Sequence, residues 1–277
     1  MIMDQRTLKH FFKNPASLAG ALIILCFILV GILGPWFIGD SGLNIRLDME
    51  LKGPGAGRLG FAENGIDVLT SLVYGARISL LIAITCTVIS LSIGIVYGAV
   101  SGFFGNRIDA VMMRVIDILL AFPGLLLAIY IAAILSPKTI NVVFALCATG
   151  WVGYARVVRA QVLSIKNYEY VTAATSLGAK THRIIFVHII PNILGPIIVQ
   201  ASFALASLIL AEAALSFLGL GVPPGTPSWG ALLDQGVSYL FIAPHLAIFP
   251  GICIAITVLG FNFLGDGLRD VFDVKNR

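Results

Sequence analysis

The fold class this sequence predicts is an all-α integral membrane protein with six transmembrane helices, and three observations predict it. Of 277 residues, 18 are Lys or Arg and 14 are Asp or Glu, so charged residues make up 12% of the chain, roughly half the share of an ordinary soluble domain. The hydrophobic fraction is 58% and the mean hydropathy is +0.97. A soluble globule of this length has too little polar side chain to cover that much apolar surface. The apolar residues also gather in runs of about 20, the length that crosses a hydrocarbon core as a helix. Barrel-type alternation is missing from the runs, and in lipid each backbone group must be paired within the protein, so the runs are helices. A cytosolic enzyme, a secreted disulfide scaffold and a disordered chain are excluded.

A short basic arm with Arg6, Lys9 and Lys13 precedes the first span, at about 18–38, which holds no charge. The run is too long for the core of a signal peptide and no small-residue cleavage site follows it, so an uncleaved span is expected. An outer loop of mixed charge fills 39–77 and contains the turn signal Gly53-Pro54-Gly55-Ala56-Gly57. The second, third and fourth spans fall at about 78–100, 115–135 and 140–158. Asp117 follows Arg114 at the spacing of an ion pair one helical turn apart.

The inner segment after span four carries Arg156, Arg159, Lys166, Lys180 and Arg183 against one acid, Glu169, yet it reads as helical. Asn167 suits an N-cap, and Glu169 in the first turn favours the helix dipole. Val171, Ala174 and Leu177 fall on one face at helical spacing. Gly178 suits a left-handed stop, and Thr181 can cap a second helix that runs through Ile184, Ile185 and Val187 into span five, at about 189–211. The small residues Ala173, Ala174 and Gly178 permit close approach by a partner; a plain amphipathic surface helix has much the same pattern. The turn-rich stretch 219–230 is either a partly re-entrant loop or a plain one. Span six lies at about 240–264.

Thirteen of the basic residues fall on the side that holds both termini: Arg6, Lys9, Lys13, Arg107, Arg114, Arg156, Arg159, Lys166, Lys180, Arg183, Arg269, Lys275 and Arg277. The other side holds Arg46, Lys52, Arg58, Arg77 and Lys138. Cytoplasmic loops collect Lys and Arg, so both termini are expected in the cytoplasm. Cys26, Cys86, Cys147 and Cys253 lie in apolar runs without a CxxC pair and read as small core residues. His10 and His245 fit no metal-ligand spacing, and no metal or other cofactor is expected in the chain. Trp36 and Trp229 fall near the outer interface, where anchoring is the default. Glu212 reads as an interface residue facing water or a partner chain, with a place along a substrate path as the alternative.

The segment EYVTAATSLGAKTHRIIFVHIIPN at 169–192 resembles the cytoplasmic signature of permease subunits of ATP-binding-cassette importers. That signature runs EAA, three residues, Gly, nine residues, then I-x-L-P. Here Thr172-Ala173-Ala174, Gly178 and Pro191 keep the full spacing, while Thr172, His188 and Ile190 replace Glu, Ile and Leu. The stretch AEAALSFLGLGVPPGTPSWG at 211–230 looks like the branch that imports dipeptides, oligopeptides and nickel, specifically its second, C-type permease. The segments 67–83 and 107–123 and the Phe12-Lys13-Asn14-Pro15 start fit the same branch. A literal Glu212-Ala213-Ala214 has the wrong spacing and is not the signature. One departure lies in the outer loop: where the family shows a stretch like GTDxxGRD, this chain has Phe61, Ala62 and Ile66 in place of Thr, Asp and Arg. That departure puts loop contacts with a binding protein or a second permease in question.

The resemblance implies a type I importer permease in a bacterial-type inner membrane. It implies a second homologous permease, two cytoplasmic ATPases that bind the ATP and Mg, and an extracytoplasmic solute-binding protein; nucleic acid is not among the implied partners. Coupling to the ATPase would fall on Glu169, Thr172, Ala173, Ala174, Leu177, Gly178 and Pro191 within the segment 167–188. Lys180, His182 and Arg183 either pair with ATPase acids or are ordinary inside charge. Gly178-Ala179-Lys180-Thr181 is not a phosphate-binding loop, because its glycine-to-lysine spacing is wrong and no upstream glycine is in register. No catalytic residue is expected. The cargo is a peptide or related small solute, with nickel or another small solute of the same branch as the alternative, and a stand-alone carrier or a membrane enzyme as more distant readings.

Overall fold

The computed structural model describes residues 14–39, 41–56 and 58–274. Expectations placed on Arg6, Lys9, His10, Phe12, Lys13, Gly57, Lys275 and Arg277 lie outside those residues. Nearly all of the rest is helix, and an isolated antiparallel bridge joins Phe61 to Asp67. Five helices are long and apolar enough to cross a membrane, or six if one bent pair counts as a span.

Helix α1, Pro15–Ile38, starts with Pro15 at its first position and an Asn14 side chain that accepts from Ala16 N–H at 3.0 Å. Helix α2, Val68–Phe104, begins ten residues before the expected span. Asp67 caps it, its Oδ1 accepting from Thr70 N–H at 2.7 Å, so Arg77 belongs to a helix and not to a loop. At 37 residues the helix is about 55 Å long, well beyond a hydrocarbon core of about 30 Å. The third span is not one straight helix. Helix α3, Asn106–Leu120, and helix α4, Gly124–Ile134, meet at 76°. Pro123 lacks an N–H and disfavours helical geometry at Phe122, which breaks the run. The Arg114–Asp117 pair does not form, and both side chains are exposed.

Helix α5, Thr139–Ile165, packs along α2 in the most extensive helix contact of the molecule. Gly94, Gly98 and Gly102 of α2 face Tyr154, Ala155, Val158, Arg159 and Val162. A Cβ on Gly102 would sit 2.9 Å from the Arg159 carbonyl, so this crossing needs small residues on α2. Cys86 and Cys147 sit in the same seam, each Sγ near a carbonyl of the other helix at 3.7–3.8 Å. Cys26, by contrast, is exposed on the outer face of α1.

Helix α6, Glu169–Ser176, follows. The chain then winds through Thr181–Arg183, a wide π-turn at Ile184–Ile189 and a tight turn at Ile190–Asn192 before helix α7, Leu194–Phe217. The expected smooth entry into span five is therefore interrupted, and Pro191 sits in the tight turn where no N–H is needed. Helix α8, Trp229–Ser238, precedes helix α9, His245–Val274, which starts five residues after the expected sixth span and extends ten past it.

The start of α1 and the ends of α2, α5 and α9 gather at one end of the bundle, here called basal, with α6. The start of α2, the described residues of 39–67 and α8 gather at the opposite, apical end. Leu22, Ile32, Phe37, Ile140, Phe144, Phe241 and Ile242 stand exposed on the outside, as side chains facing lipid or another chain would.

Candidate functional site

The basal end carries the helix-glycine segment. Tyr168, not Asn167, occupies the N-cap position of α6, and no side chain caps it. The Tyr168 carbonyl accepts from Val171 and Thr172 N–H at 2.9 and 3.0 Å instead. Thr181 likewise is the first helical residue of its turn, after Lys180, and not its cap. Gly178 is left-handed as expected, with φ +78°. Ala179 N–H reaches back to the Ala174 carbonyl at 3.1 Å and closes the end of α6.

The expected three-residue face divides. Val171 is buried and joins Ile184, Ile185 and Ile189 in an apolar cluster with Val158, Val162, Ile193 and Ile197. Ala174 is half-buried. Leu177 points the other way and is 88% exposed. Val171 thus fastens α6 to the ends of α5 and α7, while Leu177 and Gly178 form an outward tip beside exposed Thr172 and Ala173. A Cβ on Gly178 would meet nothing within 4 Å. Glu169 is exposed at the start of α6. Pro191 is not at the tip; it lines a basal cavity with Tyr168 and Tyr170.

The basic cluster also divides. Arg159 donates from Nη2 to Asp109 Oδ2 at 2.6 Å and from Nε to Asp109 Oδ1, which also accepts from Ser101. Lys166 donates to the Gly102 carbonyl at 3.0 Å. These two cations tie α5 to α2 and α3. Arg156, Lys180, His182 and Arg183 are exposed.

At the apical end the structure corrects two expectations. Glu212 faces neither water nor a partner; it is 0% exposed. Ser79 donates to its Oε2 at 2.9 Å and Ser216 to its Oε1 at 2.8 Å. Trp229 is 1% exposed and no interfacial anchor. Its backbone N–H donates to Ser79 Oγ at 3.2 Å and its indole N–H to the Leu72 carbonyl at 3.1 Å. Ser228 lies 3.4 Å from Ser216 and caps α8 through Ala231 N–H. The stretch 219–230 thereby turns back into the bundle. Trp36 stays on the surface at 84% exposure.

The divergent loop residues Phe61 and Ala62 are also buried in the chain's own fold, and Ile66 is half-buried. At these three positions the side chains pack against the chain's own residues. The residues that do match are those the geometry demands. Gly60 and Gly65 have φ +89° and +68°, Gly65 lies against the Arg46 carbonyl, and Asp67 caps α2.

Apolar helices long enough to cross a membrane, with an exposed helix-glycine tip at one end of the bundle, define a polytopic helical membrane protein. The chain belongs to the family of binding-protein-dependent transport system inner membrane components, whose profile matches residues 94–277. The N-terminal transmembrane domain of oligopeptide transport permease C matches residues 5–54. The chain is 42% identical to the dipeptide transport system permease protein DppC of Bacillus subtilis, over 97% of this chain and 85% of that protein. It is also 42% identical to the oligopeptide transport system permease protein OppC of Haemophilus influenzae, over 97% of this chain and 88% of that protein. Among solved structures, the fold resembles an inward-facing form of the MetNI methionine ABC transporter. The TM-score is 0.60 at 19% identity, covering 74% of this chain and 97% of that one.

Proposed function

We propose that this chain is one of two permease subunits of an ATP-driven peptide importer, spanning a bacterial inner membrane with both termini in the cytoplasm. A second permease completes the path, a binding protein delivers cargo at the apical end, and two ATPases hydrolyse ATP at the basal end. Peptide cargo is supported by the relatives' names and by their 42% identity over nearly the whole chain.

The observation that carries the mechanism is the contrast within α6. Val171 is buried at 2% exposure while Leu177 is 88% exposed. A tip on a loose loop would absorb a push; a tip on a helix fastened to the ends of α5 and α7 passes it on. ATP binding has to favour one ATPase arrangement, and the tip must sit differently in each, or no conformational equilibrium shifts. Glu169, Thr172, Ala173, Ala174, Leu177 and Gly178 make the contact in this reading, and Pro191 turns the chain from it into α7.

Gly178→Leu is the test. Its left-handed backbone strains any side chain, and the added bulk lies at the contact. In proteoliposomes holding all the subunits, ATP-driven uptake is expected to fall by tenfold or more, on the order of 1.4 kcal/mol, with the permease still present in the membrane. Normal uptake with normal stimulation of ATP hydrolysis would show that the tip does not couple. Mass spectrometry of the ligand carried by the native binding protein checks the cargo.

A further inference from the structure

Two cavities meet along α7. The basal one, about 960 Å³, lies between α5, α7 and the end of α9 and is lined by Gln161, Gln200 and Phe203, among others. The second, about 310 Å³, rises between α4, α5 and α7 and shares Gln200 and Phe203 with the first, with Thr149 on its wall. Together they follow α7 from Gly195 to Ala211, about 24 Å at 1.5 Å per residue, which is most of the thickness of a hydrocarbon core.

The side-chain amides of Gln161 and Gln200 and the Thr149 hydroxyl have no hydrogen-bond partner among the described residues, and none of the three is exposed beyond intermediate accessibility. Gln200 Nε2 lies 3.5 Å from where a Cβ on Gly153 would be, so the missing side chain at Gly153 makes room for the amide. Unpaired amides on membrane helices are costly against acyl chains, so this groove is not a lipid-facing surface. Its walls contain no Asp, Glu, His or Cys, and Arg269 at the base is the charged residue. A bare divalent cation would find no suitable ligand set there. A primary amide offers one acceptor and two donors, the complement of a peptide bond's N–H and C=O. Ligands of any sequence share that bond.

We propose that the α5–α7 groove is this subunit's wall of the peptide path, and that Gln161 and Gln200 pass the cargo along by hydrogen bonds to its backbone. This rests on the peptide-importer reading above and names the surface that would carry it out.

The test uses the complete transporter in proteoliposomes, fed a defined mixture of di- to pentapeptides followed by mass spectrometry. Gln200→Leu and Gln161→Leu are expected to slow uptake of all lengths, roughly tenfold for the pair together, while ATP hydrolysis stimulated by the loaded binding protein persists. Gln200→Asn keeps an amide and is expected to retain most of the uptake. In a variant with Cys26, Cys86, Cys147 and Cys253 replaced by Ala, Gln200→Cys is expected to react with a membrane-impermeant thiol reagent, and more slowly during peptide turnover. If the wild-type transporter imports peptides but the Leu variants match it, the groove assignment is overturned. Unreactive Gln200→Cys in that active transporter overturns it too, because the groove is then covered by lipid or by the second permease. If the wild type imports no peptide, the importer reading itself fails, separately from the groove.

Discussion

Both oxygens of the Glu212 carboxylate accept serine hydroxyls, one from α2 and one from α7, and Ser79 in turn accepts the first N–H of α8. A single side chain thus sets the spacing of three helices in a place where water cannot substitute. Glu212→Ala leaves Ser79 and Ser216 with hydroxyls aimed at empty space, at a cost of about 1–3 kcal/mol for the unmet groups. The purified permease complex is therefore expected to melt at a lower temperature, read by thermal unfolding in detergent. Glu212→Gln keeps the shape and can still accept from one serine while donating to the other, so it is expected to fall between the two. Equal melting of wild type and Glu212→Ala would remove the clamp. This role was not legible from sequence position. A Glu at the end of an apolar run looks like an interface residue unless one knows that serines 133 residues before it and 4 residues after it close around it. Trp229 misled for the same reason: a tryptophan near a helix end anchors at the interface by default, and only the turn of 219–230 back into the bundle buries it.

Among the elements, α2 and α5 depend on a seam with almost no side chain on one side. A Cβ at Gly98 would sit 2.9 Å from Val158 Cβ and press on the Ala155 carbonyl as well. Gly98→Leu is expected to push the two helices apart, costing about 3 kcal/mol or more where they cannot yield. Its signature is loss of co-purification of the partner subunits and faster proteolysis in the membrane. The mutation would also dislodge the Asp109–Arg159 pair, since Arg159 directly follows Val158 and its backbone N would lie 3.0 Å from the added Cβ. For α6, Val171→Ala removes part of the anchor while leaving the exposed tip intact. Uptake is expected to fall while the tip residues remain available, the reverse of a contact mutation at Leu177. Measuring ATP hydrolysis beside uptake separates the two. The existence of α6 and its glycine stop was legible from helical spacing and from Gly178, while the expected Asn167 cap was not what starts the helix. Which side chain faced inward was not, because a helical periodicity of three residues over one short helix cannot distinguish a core face from a docking face.

For the molecule as a whole, the distribution of charge makes an orientation claim. Thirteen of 18 basic residues belong to the side expected to hold the termini, so a reporter fused after Arg277 is expected to fluoresce in the cytoplasm and to resist protease added outside the cell. Cleavage from outside would invert the proposed topology and move the ATPase contact to the wrong face. Five helices, or six with the bent pair, follow from length and apolarity, because in lipid every backbone group must be paired within the protein and the runs lack the alternation of a barrel. Composition and the length of the apolar runs therefore determined the solvent and the helical class, and the resemblance carried by the spacing at 169–192 and by the stretch 211–230 pointed to the transporter family. The tertiary structure alone decided the kink at Ala121–Pro123, the length of α2 and the burial of Glu212 and Trp229. It also split the basic cluster into structural and exposed charges and opened the groove that joins Gln161 to Gln200. Each of those depends on which helices touch. Packing partners are set by side chains far apart in the chain, which local periodicity does not encode.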